Sequence, residues 1–206
     1  MKSIRIVLAV VLGLAVAGGI GWRLQTYRHR VVKTVRGFPA GIVIHHTATP
    51  PVMRGRPVDV ATIDALHARR GFRAVDRDGT VYHIGYHFLI QQDGTVLRGR
   101  PEHLRGSHAM NHNDMLGIAL VGDFHRRSNR GRCGPLTPPR AQLRAAETLT
   151  QELMAKYGLS RADVYLHRDL GQTACPGDQF PRNTFYALIP AAPPPPRWWS
   201  GWPATW

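Results

Sequence analysis

The sequence predicts an α/β domain built on a central mixed β-sheet flanked by helices. Three observations carry that prediction. Gly41–His45 (GIVIH) and Gly117–Val121 (GIALV) are short, β-branched apolar runs of the kind that form buried strands. Segments with helical apolar spacing lie between and beyond them. The dipeptide Asp93-Gly94 sits between two strand-like runs and marks a hairpin. Strands interleaved with helices make an α/β arrangement with a mixed sheet.

At the amino terminus, Lys2 and Arg5 precede an apolar run, Ile6–Trp22, broken only by glycines. As a helix it would span about 25 Å, short of the ~30 Å hydrocarbon core. Ala15 and Ala17, followed by Gly18, form an A-x-A pattern of the signal-peptidase type. Residues 1–22 therefore read as a signal peptide, or as a retained anchor that attaches the chain to the inner membrane through residues 6–22. Arg23, Arg28, Arg30 and Lys33 follow the run and oppose a simple N-in orientation. Both readings place the protein outside the cytosol, in the cell envelope or periplasm. Residues 23–37 read as a basic linker and 38–190 as the globular domain. Residues 191–206 form a Pro/Trp-rich tail that is expected to be disordered, its tryptophans offering a sticky anchor as the sharper alternative.

Within the domain, Gly41–His45 is the first strand. Asp59 to Arg70 has helical spacing through Val60, Ile63 and Leu66/His67 and stops at Gly71. Val81–Ile84 and Tyr86–Gln91 are predicted strands, the second joined through Asp93-Gly94 to Thr95–Arg98. Gly117–Val121 follows. Thr137 is the predicted cap of a long helix with Pro138 in its first turn. Leu143, Ala146, Leu149 and Leu153 form its stripe, and Gly158 ends it. Val164–His167 is the last strand.

The 206 residues suffice for one well-buried domain with appendages, and a hydrophobic content of 43% suits a packed core. The net charge of +14 is nearly all arginine and attracts polyanions: nucleic acid, anionic lipid or an acidic wall polymer. No basic–aromatic ladder or nucleic-acid motif accompanies it, so nucleic acid is not an expected partner. Two cysteines, Cys133 and Cys175, are too few for a disulfide framework. They could form one bridge, or one could ligate a metal.

Two histidines, His45 and His167, end apolar strands, where a side chain reaches the rim of a sheet. Cys175 comes eight residues after His167 and is followed by Pro176-Gly177, a dipeptide that bends the chain. Two imidazoles and a thiolate are three zinc ligands, and a three-ligand site keeps its fourth position for water, as catalytic zinc sites do. Singly each residue is weak evidence: a histidine at a strand end is more often structural, and a buried cysteine more often inert. The spacing is not a compact zinc motif, and on spacing alone a metal site and a structural role stand near parity.

Four segments taken together, IVIHHTAT, IGYHFLIQQDGTVLRGRP, GSHAMNHNDMLGIALVGDF and HRDLGQTACPG, resemble the N-acetylmuramoyl-L-alanine amidase family. Bacteriophage-lysozyme-type amidases and peptidoglycan recognition proteins share it. The likeness runs from about Gly41 to Phe185. It implies that His45, His167 and Cys175 bind Zn2+, that Tyr86 is the catalytic tyrosine, and that Thr173 helps position the water or the substrate carbonyl. In members that only recognise peptidoglycan the cysteine is typically replaced, so Cys175 favours catalysis. The implied reaction is hydrolysis of the amide joining N-acetylmuramic acid to L-alanine; the alternative is a non-catalytic peptidoglycan-binding module. The implied partners are peptidoglycan or muropeptides, and a monomer is expected. Zinc would lower the pKa of bound water from 15.7 toward ~7. Tyr86, with an ordinary pKa near ~10, would stay protonated and donate to the oxyanion, or shuttle a proton if the metal lowers that pKa.

Further residues are candidates of lower rank. His46 follows a ligand in the strand and points to the opposite face, as a support to the metal site or as core. Asp169 either orients an imidazole or forms the turn before Leu170-Gly171. His108 resembles a groove histidine of the family and is a candidate to touch substrate, and Asn113 and Arg100 are candidates to touch the stem peptide. His67 is expected to pack. Cys133 is expected to be unpaired; a bridge to Cys175 would remove the thiolate and the zinc site with it. Phe72–His83 is longer than in compact members and is expected to form a substrate-side loop or an extra hairpin.

Overall fold

The computed structural model describes residues 39–191, so the leader, the linker and the tryptophans of the tail lie outside the described residues. Strand β1 (Ile42–His46) is buried at every position, as its unbroken apolar sequence requires. β2 (Val52–Met53) and β3 (Arg56–Pro57) form a small antiparallel ribbon. Helix α1 (Val60–Ala68) starts where predicted: the Asp59 carboxylate accepts the Thr62 N–H at 2.8 Å, satisfying an amide that the first turn leaves unpaired. The helix proper stops two residues short of Arg70 and continues as a turn into Gly71.

β4 (Ala74–Val75) and β5 (Val81–Tyr82) pair antiparallel around a tight Asp76–Thr80 turn. The stretch 72–83 thus forms the extra hairpin, and the strand predicted at Val81–Ile84 is shorter and belongs to this ribbon. β6 (Phe88–Ile90) and β7 (Val96–Arg98) make the hairpin signalled by Asp93-Gly94. Tyr86 precedes β6 rather than opening it. β8 (Leu116–Leu120) is buried throughout. After the short α2 (Arg126–Asn129) comes α3 (Arg140–Tyr157).

The start of α3 corrects the expectation. Neither Thr137 nor Pro138 belongs to it; Pro139 flanks it with φ −53° and ψ 150°, and no side chain caps it. Pro138 is itself followed by a proline, and a residue before proline is pushed out of the α region, so the helix begins only after the pair. Its end is as predicted: Gly158 adopts φ 63° and donates to the Met154 carbonyl. β9 (Val164–Leu166) ends one residue earlier than predicted, because His167 opens a 3-10 turn, His167–Asp169. α4 (Arg182–Leu188) buries Phe185 completely.

The main sheet has the order β7-β6-β8-β1-β9. β6, β8, β1 and β9 run parallel, and only the β6–β7 hairpin is antiparallel. The mixed sheet is therefore as the sequence predicts. Parallel strands place their carboxyl ends along one rim, where open α/β sheets build sites. That rim carries His45 and His46 from β1, Leu120 from β8 and His167 after β9. Gln142 of α3 clamps it from one side, its amide donating to the Ile90 and Val121 carbonyls at 2.8 and 2.9 Å. No helix among the described residues is long and apolar enough to cross a membrane.

Candidate metal centre and groove

His45, His167 and Cys175 converge on that rim. Their ligand atoms all lie within 4.8 Å of one another. The His45 and His167 rings stand 4.5 Å apart, centroid to centroid. Cys175 Sγ is 3.6 Å from His45 Nδ1. Zinc bonds of about 2.3 Å to sulfur and about 2.1 Å to nitrogen, at a tetrahedral angle, would leave those atoms about 3.6 Å apart. The donor set therefore suits a zinc ion, and the His45–Cys175 spacing matches one.

Local structure explains how each of these side chains is held. His45 is 1% exposed, locked in β1 between β8 and β9. His167 starts a 3-10 turn that Asp169 closes by accepting the Leu166 N–H at 3.1 Å, while its other oxygen takes Arg182 Nη1 at 2.5 Å. Asp169 is thus the turn-former, and the reading in which it orients an imidazole is set aside: its bonds go to Leu166 and Arg182. Cys175 sits in a loop pinned from three sides. Its sulfur accepts the His46 N–H at 3.3 Å. Its carbonyl accepts the Arg168 N–H at 2.8 Å. Its own N–H donates to Thr173 Oγ1 at 3.2 Å. His46 therefore supports the sulfur through its backbone while its ring turns away, Nδ1 accepting the Phe124 N–H at 3.1 Å. Both cysteines are free, so no bridge competes for Cys175.

Burial dominates the electrostatics. It lowers the His45 pKa well below the ordinary imidazole value, and charge on His108 or His167 would lower it further. It pushes the Cys175 thiol up to about 12, against the opposing pull of the His46 N–H and the Arg168 charge. Alone, these groups stay neutral at pH 7; a divalent cation would invert that preference for the sulfur.

Tyr86 flanks these side chains, its ring 5.2 Å from His45 and 5.2 Å from His67. Gly85 sets it there: a Cβ at Gly85 would collide with the Ser107 carbonyl oxygen, so only glycine allows this approach. The Gly85 N–H donates to His67 Nδ1 at 2.9 Å. Burial raises the Tyr86 pKa above the ordinary phenol value, with Cys175 adding to the effect. The phenol makes no hydrogen bond among the described residues and lines an open cavity of about 660 Å³.

The same cavity is lined by Thr173, His108 and Asn113. Asn113 is largely committed: its Oδ1 accepts the His108 and Ala109 N–H groups at 2.8 and 3.0 Å. Arg100 is placed differently from the expectation. It is 2% exposed and lies beneath the wall, donating from Nε to the Ile84 carbonyl and from Nη1 to the Arg105 carbonyl and Ser107 Oγ. Carbonyls buried away from water need such a donor fork, which sequence spacing does not show. His67 packs as expected, yet it also faces the cavity. Arg70, Arg73 and Met110 line the cavity as well and were not singled out by sequence. Their only signal is position, in the turn after α1, in the extra hairpin and just after His108.

Residues 36–178 match the family described as N-acetylmuramoyl-L-alanine amidase. A peptidoglycan-recognition protein of Drosophila melanogaster is 35% identical over 140 residues, covering 66% of this chain and 67% of its own length. The endolysin of Escherichia phage T7 is 34% identical over 136 residues, covering 66% and 78% respectively. The solved structure of the N-acetylmuramoyl-L-alanine amidase LysC from Clostridium intestinale URNW superposes with a TM-score of 0.57 at 34% identity, covering 74% of this chain and 85% of that one. With its motifs in order and its ligand-type residues gathered at one rim, this chain belongs to the N-acetylmuramoyl-L-alanine amidase family.

Proposed function

We propose that this chain is a zinc-dependent N-acetylmuramoyl-L-alanine amidase acting on peptidoglycan. The observation that carries the reading is the convergence of His45, His167 and Cys175 on one point, with the Tyr86 phenol beside them in an open groove. The three side chains would hold zinc, which supplies an activated water and a polarised carbonyl. The groove holds the glycan-linked peptide so that its first amide lies over the ligands. Tyr86, kept protonated by burial, donates its O–H to the oxygen on which negative charge develops. Thr173 holds the Cys175 loop by accepting its N–H, which leaves the threonine proton free to donate toward the groove. Arg70 and Arg73 are exposed on the groove wall and suit an anionic peptide. Export belongs to the same reading, since residues 1–22 have the charge and apolar pattern of a leader and the wall lies outside the cell; fractionation of expressing cells tests it.

The competing reading is a module that binds peptidoglycan without cutting it; one relative is named a peptidoglycan-recognition protein. Retention of both Cys175 and Tyr86 favours catalysis. Incubation of the full chain with purified peptidoglycan, with and without a chelator, separates the two. The amidase reading expects free stem peptides that the chelator suppresses; binding with no peptide released overturns it.

A further inference from the structure

Neither the proposed reaction nor the ligand set accounts for His108, whose ring is closely housed in the groove wall. A Cβ at Gly106 would collide with its Cδ2, and one at Gly117 would lie 2.6 Å from the same atom. The ring therefore fills a slot that exists because both positions lack a side chain. Gly117 belongs to β8, opposite Val43 of β1, so the slot adjoins the strand that carries His45. Asn113 holds the His108 N–H, and the His87 ring stands edge-on to it at 5.7 Å.

The hydrogen bonds then follow from a single acceptor. His108 Nε2 is 3.0 Å from the Met115 carbonyl oxygen. A carbonyl only accepts, so Nε2 carries the hydrogen, and a neutral imidazole has just one N–H. The side-chain hydrogen bonds of His108 among the described residues go to the Met115 carbonyl and to His45, with no carboxylate there to hold a second proton, so the ring is neutral. Its Nδ1 is therefore a bare lone pair, 3.0 Å from His45 Nε2. His45 must donate there, which places its own lone pair on Nδ1, the atom 3.6 Å from the Cys175 sulfur. The opposite tautomer of His45 would point a hydrogen at the place the cation would occupy.

We propose that His108 is a positioning residue for the metal centre: held by Met115 and the two-glycine slot, it accepts the Nε2–H of His45 and fixes that ring with Nδ1 free to bind metal. The inference rests on the zinc reading above. A partner that fixes the tautomer and orientation of a metal-bound histidine is commonly worth 10- to 100-fold in affinity.

Two substitutions separate this role from simple filling of the slot. His108→Asn keeps an acceptor at the Nδ1 place and loses the reach to Met115. His108→Gln keeps the reach and loses the acceptor. Zinc affinity of the full chain, measured by competition with a chromogenic chelator, should be within about threefold of wild type for His108→Asn and about 10- to 100-fold weaker for His108→Gln. Equal affinities in all three proteins overturn the inference, as do equal losses in both variants or a loss in His108→Asn alone. Long-range 1H–15N correlation spectra of zinc-free wild type test it without any variant at His108: the His45 signal, assigned by its loss in His45→Gln, must show hydrogen on Nε2, and hydrogen on Nδ1 overturns the inference. Failure of the wild type to bind zinc sinks the zinc reading itself; normal wild-type binding that ignores the acceptor sinks only the role of His108.

Discussion

The Cys175 thiol resists ionisation, with a pKa pushed up to about 12 by burial, yet it lies 3.6 Å from a histidine nitrogen and accepts a backbone N–H. An inert core cysteine would not need that company; a cation turns the same environment into a thiolate site. Cys175→Ser should lower zinc affinity by at least about 10-fold and abolish most peptidoglycan cleavage while leaving the circular dichroism spectrum unchanged. Full zinc occupancy with full turnover would remove Cys175 from the centre. Under the proposed reaction Tyr86 is different in kind, since it would meet the reacting carbonyl and not the metal. Tyr86→Phe should cut turnover by about 10²-fold or more with zinc content unchanged, the scale of a lost general acid. Parallel loss of metal and turnover would mean that the ring merely supports His45.

At the scale of elements, the site is assembled from strand ends and short turns, and the helices hold these at a distance. α1 supplies His67 and, in the turn beyond it, Arg70 to the groove. Its start depends on Asp59, which accepts both the Thr62 N–H and hydroxyl at 2.8 and 2.7 Å. Asp59→Ala should cost about 1 kcal/mol of stability in urea unfolding and leave zinc affinity alone, because the helix contributes no ligand. The elements also show where sequence patterns carry far and where they fail. The runs at β1 and β8 were legible because strands buried on both faces are apolar at every position. The start of α3 was not, because a Thr-Pro pair resembles a cap until the second proline is taken into account. β5 left the predicted sheet because its partner, β4, is too short to leave a pattern of its own.

The whole domain carries several imidazoles that burial holds neutral. His46, His67 and His87 have their pKa lowered from 6.5 to about 4, burial being the first cause in each. In the unfolded chain they protonate as pH falls through 6.5; in the folded domain they wait until about 4. The unfolded state thus binds more protons in that interval, and stability must fall as pH drops. Urea midpoints of the zinc-free protein should be level above about pH 7, decline between about pH 6.5 and 4, and owe nothing further to these groups below that. A midpoint flat across the interval would mean that the rings titrate freely. The net charge of +14 acts at the same scale. Attraction of the chain to an anionic wall polymer should weaken as salt rises, while zinc content, set by short-range bonds, should not change.

The sequence by itself determined the fold class, the buried strand runs, the hairpin and the residues able to ligate metal, because periodicity and residue type are local properties. Its four segments also determined the family. Tertiary structure decided which groups meet. It brought His45, His167 and Cys175 together from two strand ends and a loop, turned the His46 ring away while keeping its N–H on the sulfur, sank Arg100 beneath the wall, and set His108 behind His45. These outcomes depend on register between parallel strands and on slots left by missing side chains, neither of which a linear pattern records.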